Sequence, residues 1–166
     1  MQTIITILTV LNMYINVLND CTSKFIYNAD IENGKVNTMY VYEREGNYIT
    51  PKLYHQFSYD EQGRLTEKTT FKWNSWNKTY QASHRLQMTY GTDGYELTHS
   101  IWGKKENDWK AMDEKTIYKC ENGQLASVEY LHINQQGRQK VINSLIVSDP
   151  FEQLLLAGSE NNGSNR

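Results

Sequence analysis

A repeat constrains this chain more than any other feature: a tyrosine, a turn with glycine and then an aliphatic residue recur about every 30 residues. The two clearest copies are Tyr59-Asp60-Glu61-Gln62-Gly63-Arg64-Leu65 and Tyr90 to Leu97. Weaker copies run from Tyr27 to Val36 and from Tyr118 to Leu125. A fixed period of this length indicates one supersecondary unit copied along a fold. The repeat therefore predicts an architecture and does not by itself indicate an activity.

Alternation of apolar and polar residues predicts β-strands within the repeats, because residues two apart share one face of a sheet. His84 to Tyr90 and Tyr95 to Ile101 both alternate in this way. In the segment from Arg64 to Trp73, the alternation predicts one apolar face made of Leu65, Phe71 and Trp73, with Glu67 intruding on it.

Turn residues separate these strands, among them Asn33-Gly34, Asp93-Gly94 and Asn122-Gly123. Asn-Gly and Asp-Gly supply the positive φ angles that tight hairpins need. The pattern predicts an all-β fold, an antiparallel meander of about four hairpin repeats. Its closure stays open between a curved open sheet, a sandwich and a partial barrel. Aromatic residues on both faces, as in Val128 to Leu131, favour partial coverage by another layer.

Composition agrees with a single β domain. The chain has 166 residues with 12 tyrosines and only two prolines, which favours sheet over helix. The formal net charge is −2, and lysine and arginine are dispersed along the chain. A nucleic-acid partner is therefore not expected.

The first part of the chain is typical of an export signal. A mostly apolar stretch from Ile4 to Leu18 has the length of a signal-peptide core and is short for a membrane span. It lacks a preceding lysine or arginine and an Ala-x-Ala site, so a buried N-terminal strand or helix is the alternative. We expect a signal peptide over 1–23, a β-repeat domain over 24–148, and a secreted, periplasmic or cell-surface protein with no membrane span when mature.

The last part of the chain has a different composition. Residues 149–156 allow a short helix, and the stretch after them has no apolar periodicity. We therefore predict a C-terminal segment over 149–166 that ends in a disordered tail.

The two cysteines do not indicate a disulfide framework or a cysteine metal site. Cys21 follows Leu18-Asn19-Asp20, which lacks the small residues of a lipoprotein anchor. Cys120 lies in a strand-like run and is interpreted as a small apolar filler.

The four tryptophans are the best indication of function. Trp73 and Trp76 flank the looser turn of one repeat, and Trp102 and Trp109 flank the equivalent turn of the next. Stacked hairpins would bring these indoles to one end of the sheet, where exposed, coplanar rings suit the apolar faces of sugars. We therefore predict a ligand site there, with neighbouring amides bonding hydroxyl groups; its residues are Trp73, Trp76, Trp102, Trp109, Asn74 and Asn77. The alternative is that the rings only pack the sheet.

Catalytic and metal sites are not indicated. No nucleophile motif, phosphate loop or zinc motif is present, and His55, His84, His99 and His132 lack metal-ligand spacing. Glu67 and Glu129 could form a hydrolase pair, but cross-strand ion pairs with lysine or arginine are the expected role. We expect no cofactor and no catalytic residue.

The chain resembles the domain of unknown function 3836 family. The resemblance covers Lys24 to about Asn134 and is carried by four runs: Lys24 to Asn28, Asn33 to Val36, Glu45 to Lys52 and Tyr59 to Lys68, followed by Lys72-Trp73-Asn74. It implies a small secreted protein of Bacteroides with a signal peptide, a β-meander and no assigned activity. The Tyr59 to Leu65 turn also resembles the Tyr-Asp repeats of bacterial surface proteins.

Two functions are compatible with these observations. The first is an exported, non-catalytic binding module whose partner is a glycan or another envelope or extracellular protein. The second is a structural envelope-associated subunit that associates through exposed sheet edges, because an open meander leaves two edges able to accept a strand.

Overall fold

Nine antiparallel strands form one open sheet in a computed structural model that describes residues 24–122, 124–134 and 136–146. The strands lie in sequence order from β1 at one edge to β9 at the other. Their bounds are β1 Phe25–Glu32, β2 Lys35–Glu45, β3 Tyr48–Tyr59, β4 Leu65–Asn74, β5 Thr79–Tyr90, β6 Gly94–Gly103, β7 Asp108–Glu121, β8 Gln124–Ile133 and β9 Gln139–Ile146. The predicted all-β meander is confirmed, and of the three forms considered it is the open sheet.

The expected second layer is not found within the described part of the chain. All described residues belong to strands of this one sheet or to the ends and turns that adjoin them. The predicted signal segment 1–23, with Cys21, and the predicted C-terminal segment 149–166 lie outside the described residues.

A core covers one face of the sheet, which we call the core face. Its buried members are Val36, Met39, Phe57, Leu65 and Met88. Val36 is fully buried although the sheet is a single layer, and partly buried residues such as Tyr27, Tyr59 and Tyr90 pack against this core. We call the opposite side the aromatic face; it carries Tyr54 and Phe71.

β-bulges change which residues share a face. Ser58 pairs with Glu67 and Tyr59 pairs with Leu65, so Thr66 is an extra residue in β4. An extra residue reverses the alternation on one side of the bulge. Leu65 therefore joins the core face while Phe71 and Trp73 lie on the aromatic face, and the prediction that these three share a face is wrong.

In the two clearest repeats, the tyrosine links its hairpin to the previous one. The Tyr59 hydroxyl donates to the Val36 carbonyl at 3.0 Å, and the Tyr90 hydroxyl donates to the Leu65 carbonyl at 2.8 Å. The residue after each turn glycine completes the contact: the Lys35 ammonium lies 5.4 Å from the Tyr59 ring centroid and the Arg64 guanidinium 4.3 Å from that of Tyr90. We call these contacts the tyrosine clamps.

The turns collect at two ends of the sheet. The Gly-turn end carries the connections β1–β2, β3–β4, β5–β6 and β7–β8, where the repeat glycines lie. The Trp-bearing end carries the connections β2–β3, β4–β5, β6–β7 and β8–β9.

Candidate functional site

Two four-residue turns build the predicted site at the Trp-bearing end. They are residues 75–78 between β4 and β5 and residues 104–107 between β6 and β7. Both turns close on a residue with positive φ, 54° at Lys78 and 52° at Asn107. The two hairpins are thus equivalent, and the sequence comparison of their turns is correct.

Three of the four tryptophans lie on strands. Trp73 pairs with Tyr80 across the β4–β5 hairpin, and Trp102 pairs with Trp109 at the same position of the β6–β7 hairpin. The Trp73 and Tyr80 ring centroids are 4.8 Å apart at an interplanar angle of 64°, and those of Trp102 and Trp109 are 5.1 Å apart at 73°. These rings are half-buried and packed edge to face, so the expectation of coplanar indoles is wrong, because close aromatic pairs favour this geometry.

Trp76 lies apart from the other three. It occupies the middle of its turn and is 92% exposed. Its backbone N–H donates to the side-chain oxygen of Asn74 at 3.0 Å. Its indole therefore does not belong to the packed rings.

Asn74 and Asn77 serve the turn. The Asn74 Oδ1 atom accepts hydrogen bonds from the backbone N–H groups of Trp76 and of Asn77, the latter at 3.2 Å. An asparagine side chain that bonds the backbone two and three residues later is a common turn device. The Asn74 oxygen is thus engaged within the turn, so only the NH₂ group of this side chain could bond a ligand.

A row of aromatic rings crosses four strands on the aromatic face, and sequence reasoning missed it. Five ring contacts connect it, with centroid distances of 6.5, 5.6, 4.5, 4.8 and 4.8 Å, and Phe71 joins as a side branch at Tyr54. The members of this aromatic row, each in contact with another, are Tyr42, Tyr40, Tyr54, Phe71, Tyr80 and Trp73. A register shift between Thr70 and Phe71 aligns Tyr80 with this row, which simple alternation does not reveal.

Trp73 ends this row and lines two clefts. The first, of about 450 Å³, lies between Trp73 and Trp102 and includes Ala82 and Ser83. The second, of about 590 Å³, includes Thr50, Pro51 and Leu53 of β3. Both volumes are in the range of small-ligand sites.

A larger recess of about 900 Å³ lies at the Gly-turn end. Tyr90, Tyr95 and Tyr118 line it together with turn backbone. The Tyr95 and Tyr118 rings already stack on each other, with centroids 4.5 Å apart and planes 10° apart. Because its aromatic faces are used in packing between hairpins, we place the candidate site at the Trp-bearing end.

The carboxylates considered for hydrolysis are engaged in cross-strand contacts. Glu67 accepts a hydrogen bond from the Thr69 hydroxyl at 2.9 Å and lies 3.8 Å from the Arg85 guanidinium. Glu129 pairs with Lys119 at 2.5 Å. The expectation of ion pairs with lysine or arginine is confirmed for both residues.

The histidines do not form a metal centre. His55 is buried, and its Nδ1 atom lies 2.9 Å from the Thr70 hydroxyl. Burial, together with the charges of Lys68 and His84, lowers the pKa of His55 to about 3. Among the described residues no three His, Cys, Asp or Glu side chains lie close enough to hold a metal ion. The described strands and turns also include no helix with the length and apolarity of a membrane span.

Comparisons with known proteins agree with the resemblance noted from the motifs. The model of a family of unknown function, DUF3836, matches residues 1–126, and no curated protein matches the chain. A crystal structure of a protein of unknown function from Bacteroides fragilis aligns with a TM-score of 0.67 and 21% identity, over 78% of this chain and 95% of that chain. A DUF3836 family protein from Bacteroides vulgatus aligns with a TM-score of 0.53 and 27% identity, over 54% of this chain and 92% of that one. The likeness to Tyr-Asp repeats gains no support. Because the family model covers most of the chain, this protein belongs to DUF3836, a family of unknown function.

Proposed function

We propose that this protein is an exported, non-catalytic binding module whose ligand is a glycan held at the Trp-bearing end. One observation carries the proposal: the half-buried Trp73 ends the aromatic row and lines both clefts. Sugar rings present apolar faces that pack on aromatic side chains, and their hydroxyl groups bond to neighbouring polar groups. A row of rings beside two clefts suits an extended saccharide.

The aromatic row favours binding because its rings are already held in place. Tyr54 stacks on Phe71 with an interplanar angle of 12°, and Tyr80 meets Tyr54 edge to face at 80°. Rings fixed by such contacts lose little side-chain freedom when a ligand arrives. The half-buried state of the row leaves part of each ring available to a ligand.

A non-catalytic role is proposed because Glu67 and Glu129, the two carboxylates that stand out in the strands, are engaged in ion pairs. Export is proposed from the apolar stretch Ile4 to Leu18. Expression in a Bacteroides host followed by cell fractionation and mass analysis of the N-terminus tests export. A full-length protein retained in the cytoplasm would contradict it.

A second candidate function rests on β9. This edge strand is exposed along its whole length, and it carries four exposed aliphatic side chains: Val141, Ile142, Leu145 and Ile146. An exposed apolar edge strand is able to pair with another chain. A structural subunit would therefore show association that increases with protein concentration in light scattering, and a charged substitution such as Ile142→Lys would abolish it.

The test of glycan binding uses two tryptophans of the same hairpin. Tryptophan fluorescence is titrated with a panel of oligosaccharides for the natural protein and for Trp73→Ala and Trp76→Ala. We expect a saturable change that Trp73→Ala abolishes and Trp76→Ala retains, because Trp76 lines neither cleft. Thermal unfolding of both variants identifies any loss caused by unfolding, and Trp73→Phe, which keeps an aromatic ring, should retain weaker binding. A panel without any response would contradict the proposal.

A further inference from the structure

Lysines are concentrated around the proposed glycan site, although the whole chain has a net charge of −2. Lys52, Lys72 and Lys78 line the second cleft, and Lys72 and Lys104 line the first. Lys72 projects from the core face of β4 and its neighbour Trp73 from the aromatic face, so the ligand contacts beside the Trp73 ring fall to the turn lysines Lys78 and Lys104. All four lysines are exposed, so their ammonium groups can reach a ligand.

Glu43 is the one carboxylate among the residues that line the two clefts, and it is already neutralised. It pairs with Lys24 and with Lys52, each at 2.6 Å. Hydrogen bonds from Lys24 and then Lys52 lower the pKa of Glu43 to about 2, so it stays ionised and shared between them.

Two other acidic groups near the clefts, in the 104–107 hairpin, also have partners. Glu106 of the 104–107 turn pairs with Lys110 at 2.7 Å, and the Asp108 carboxylate accepts the backbone N–H of Trp109 at 2.7 Å. Within the described ranges, Lys72, Lys78 and Lys104 form no ion pair with a carboxylate. The Trp-bearing end therefore carries three exposed lysines that no carboxylate of the described residues pairs with.

We infer that the glycan of this site is anionic, a saccharide whose rings pack on Trp73 while its carboxylate or sulfate groups contact the turn lysines Lys104 and Lys78. The inference rests on the proposed function and names its ligand class. Exposed ammonium groups attract an anion without a large desolvation cost, and such contacts weaken as salt screens them. Uncharged saccharides would leave these contacts unmade.

The test compares three oligosaccharides of equal length by calorimetry: a uronate with carboxylates, a sulfated glycosaminoglycan fragment and an uncharged β-glucan. We expect at least one anionic oligosaccharide to bind about tenfold tighter than the uncharged one, a margin that falls when salt is raised from about 50 to about 300 mM. Lys78→Gln and Lys104→Gln should each weaken anionic binding about two- to fivefold. Lys140→Gln, in the distant strand β9, is the matched control and should have no effect.

The outcomes separate this inference from the proposed function. Equal binding of charged and uncharged saccharides, lost in Trp73→Ala but unchanged in both lysine variants, would overturn the inference and leave glycan binding in place. Equal weakening by Lys104→Gln and Lys140→Gln would indicate unspecific charge attraction and would also overturn it. No binding of any saccharide would overturn both proposals. The tighter of the two anionic ligands identifies carboxylate or sulfate as the recognised group.

Discussion

The two ends of the sheet use their aromatic residues in opposite ways. At the Gly-turn end, both the hydroxyl and the ring of Tyr59 and of Tyr90 take part in the tyrosine clamps. At the Trp-bearing end, Trp73 contacts Tyr80 but still lines two clefts. The tyrosines of the two clearest repeats thus connect hairpins, whereas Trp73 at the candidate site packs within its own hairpin and still borders the clefts.

The largest expected effect on stability comes from a substitution at the Gly-turn end, Gly94→Ala. A β-carbon at Gly94 would lie 1.9 Å from the Tyr118 carbonyl oxygen, and Gly94 has a φ of 146°, where side chains are disfavoured. We expect Gly94→Ala to lower the free energy of unfolding by about 3 kcal/mol in urea denaturation. Gly46→Ala is the control at the Trp-bearing end: with a φ of 59° and no atom within 4 Å, it should cost about 1 kcal/mol. Equal losses would contradict the steric explanation.

The next effect concerns the core face between the two ends, where burial lowers the pKa of His55 from 6.5 to about 3. Between about pH 3 and pH 6.5, the unfolded chain binds a proton at His55 that the folded protein does not bind. Stability is therefore complete above the unfolded pKa and falls as the pH decreases from 6.5 toward 3, by about 2 kcal/mol at about pH 5.

Urea denaturation at several pH values measures this dependence. His55→Gln should flatten it, whatever its effect on stability at neutral pH. His84→Gln should change it less, because the pKa of His84 is lowered by less burial. A pH dependence that survives in His55→Gln would contradict the assignment.

A smaller effect tests the tyrosine clamps. Tyr90→Phe removes the hydrogen bond to the Leu65 carbonyl while keeping the ring beside Arg64. We expect a loss of about 1 kcal/mol in the free energy of unfolding, with saccharide binding unchanged. Tyr48→Phe, at a residue that is 79% exposed, should change stability by less than about 0.5 kcal/mol and serves as the control.

The smallest expected effect on stability comes from Lys78→Asn, which makes one turn of the candidate site resemble the other. Lys78 has the same left-handed backbone as Asn107 in the equivalent turn, with φ near 50° in both. Asparagine tolerates this conformation better than lysine, so Lys78→Asn should stabilise the protein by about 0.5 kcal/mol. The same change should weaken binding of an anionic saccharide, since it removes a cleft lysine. Improved stability with improved binding would argue against a ligand role for Lys78.

Much of the fold follows from local patterns. Alternation predicted β5 and β6, and Asn33-Gly34 formed a tight turn with φ values of 50° and 71°. In the turn after β3, the Asp60 Oδ1 atom accepts the backbone N–H groups two and four residues later. The turn after β8 has the same pattern at Asn134, although no tyrosine directly precedes this residue. Such features depend only on neighbouring residues, so they can be predicted.

The candidate site was predicted less completely. The equivalence of the two Trp-bearing turns was predicted, but the aromatic row was not, because it depends on register shifts in several strands. Bulges at Thr66 and near Phe71 decide whether Leu65, Phe71 and Tyr80 meet the core or the opposite face. The position of a register shift cannot be predicted from the amino-acid composition of a strand.

The sequence by itself determined the meander, its hairpin spacing and the repeated tyrosine turns, because each depends on local backbone preference and recurs along the chain. Only the tertiary structure decided that the sheet stays open, that Trp76 stands apart from Trp73, and that lysines from β3, β4 and two turns line the two clefts. The physical reason is that contacts between strands depend on register, and a shift of one residue moves a side chain to the other face.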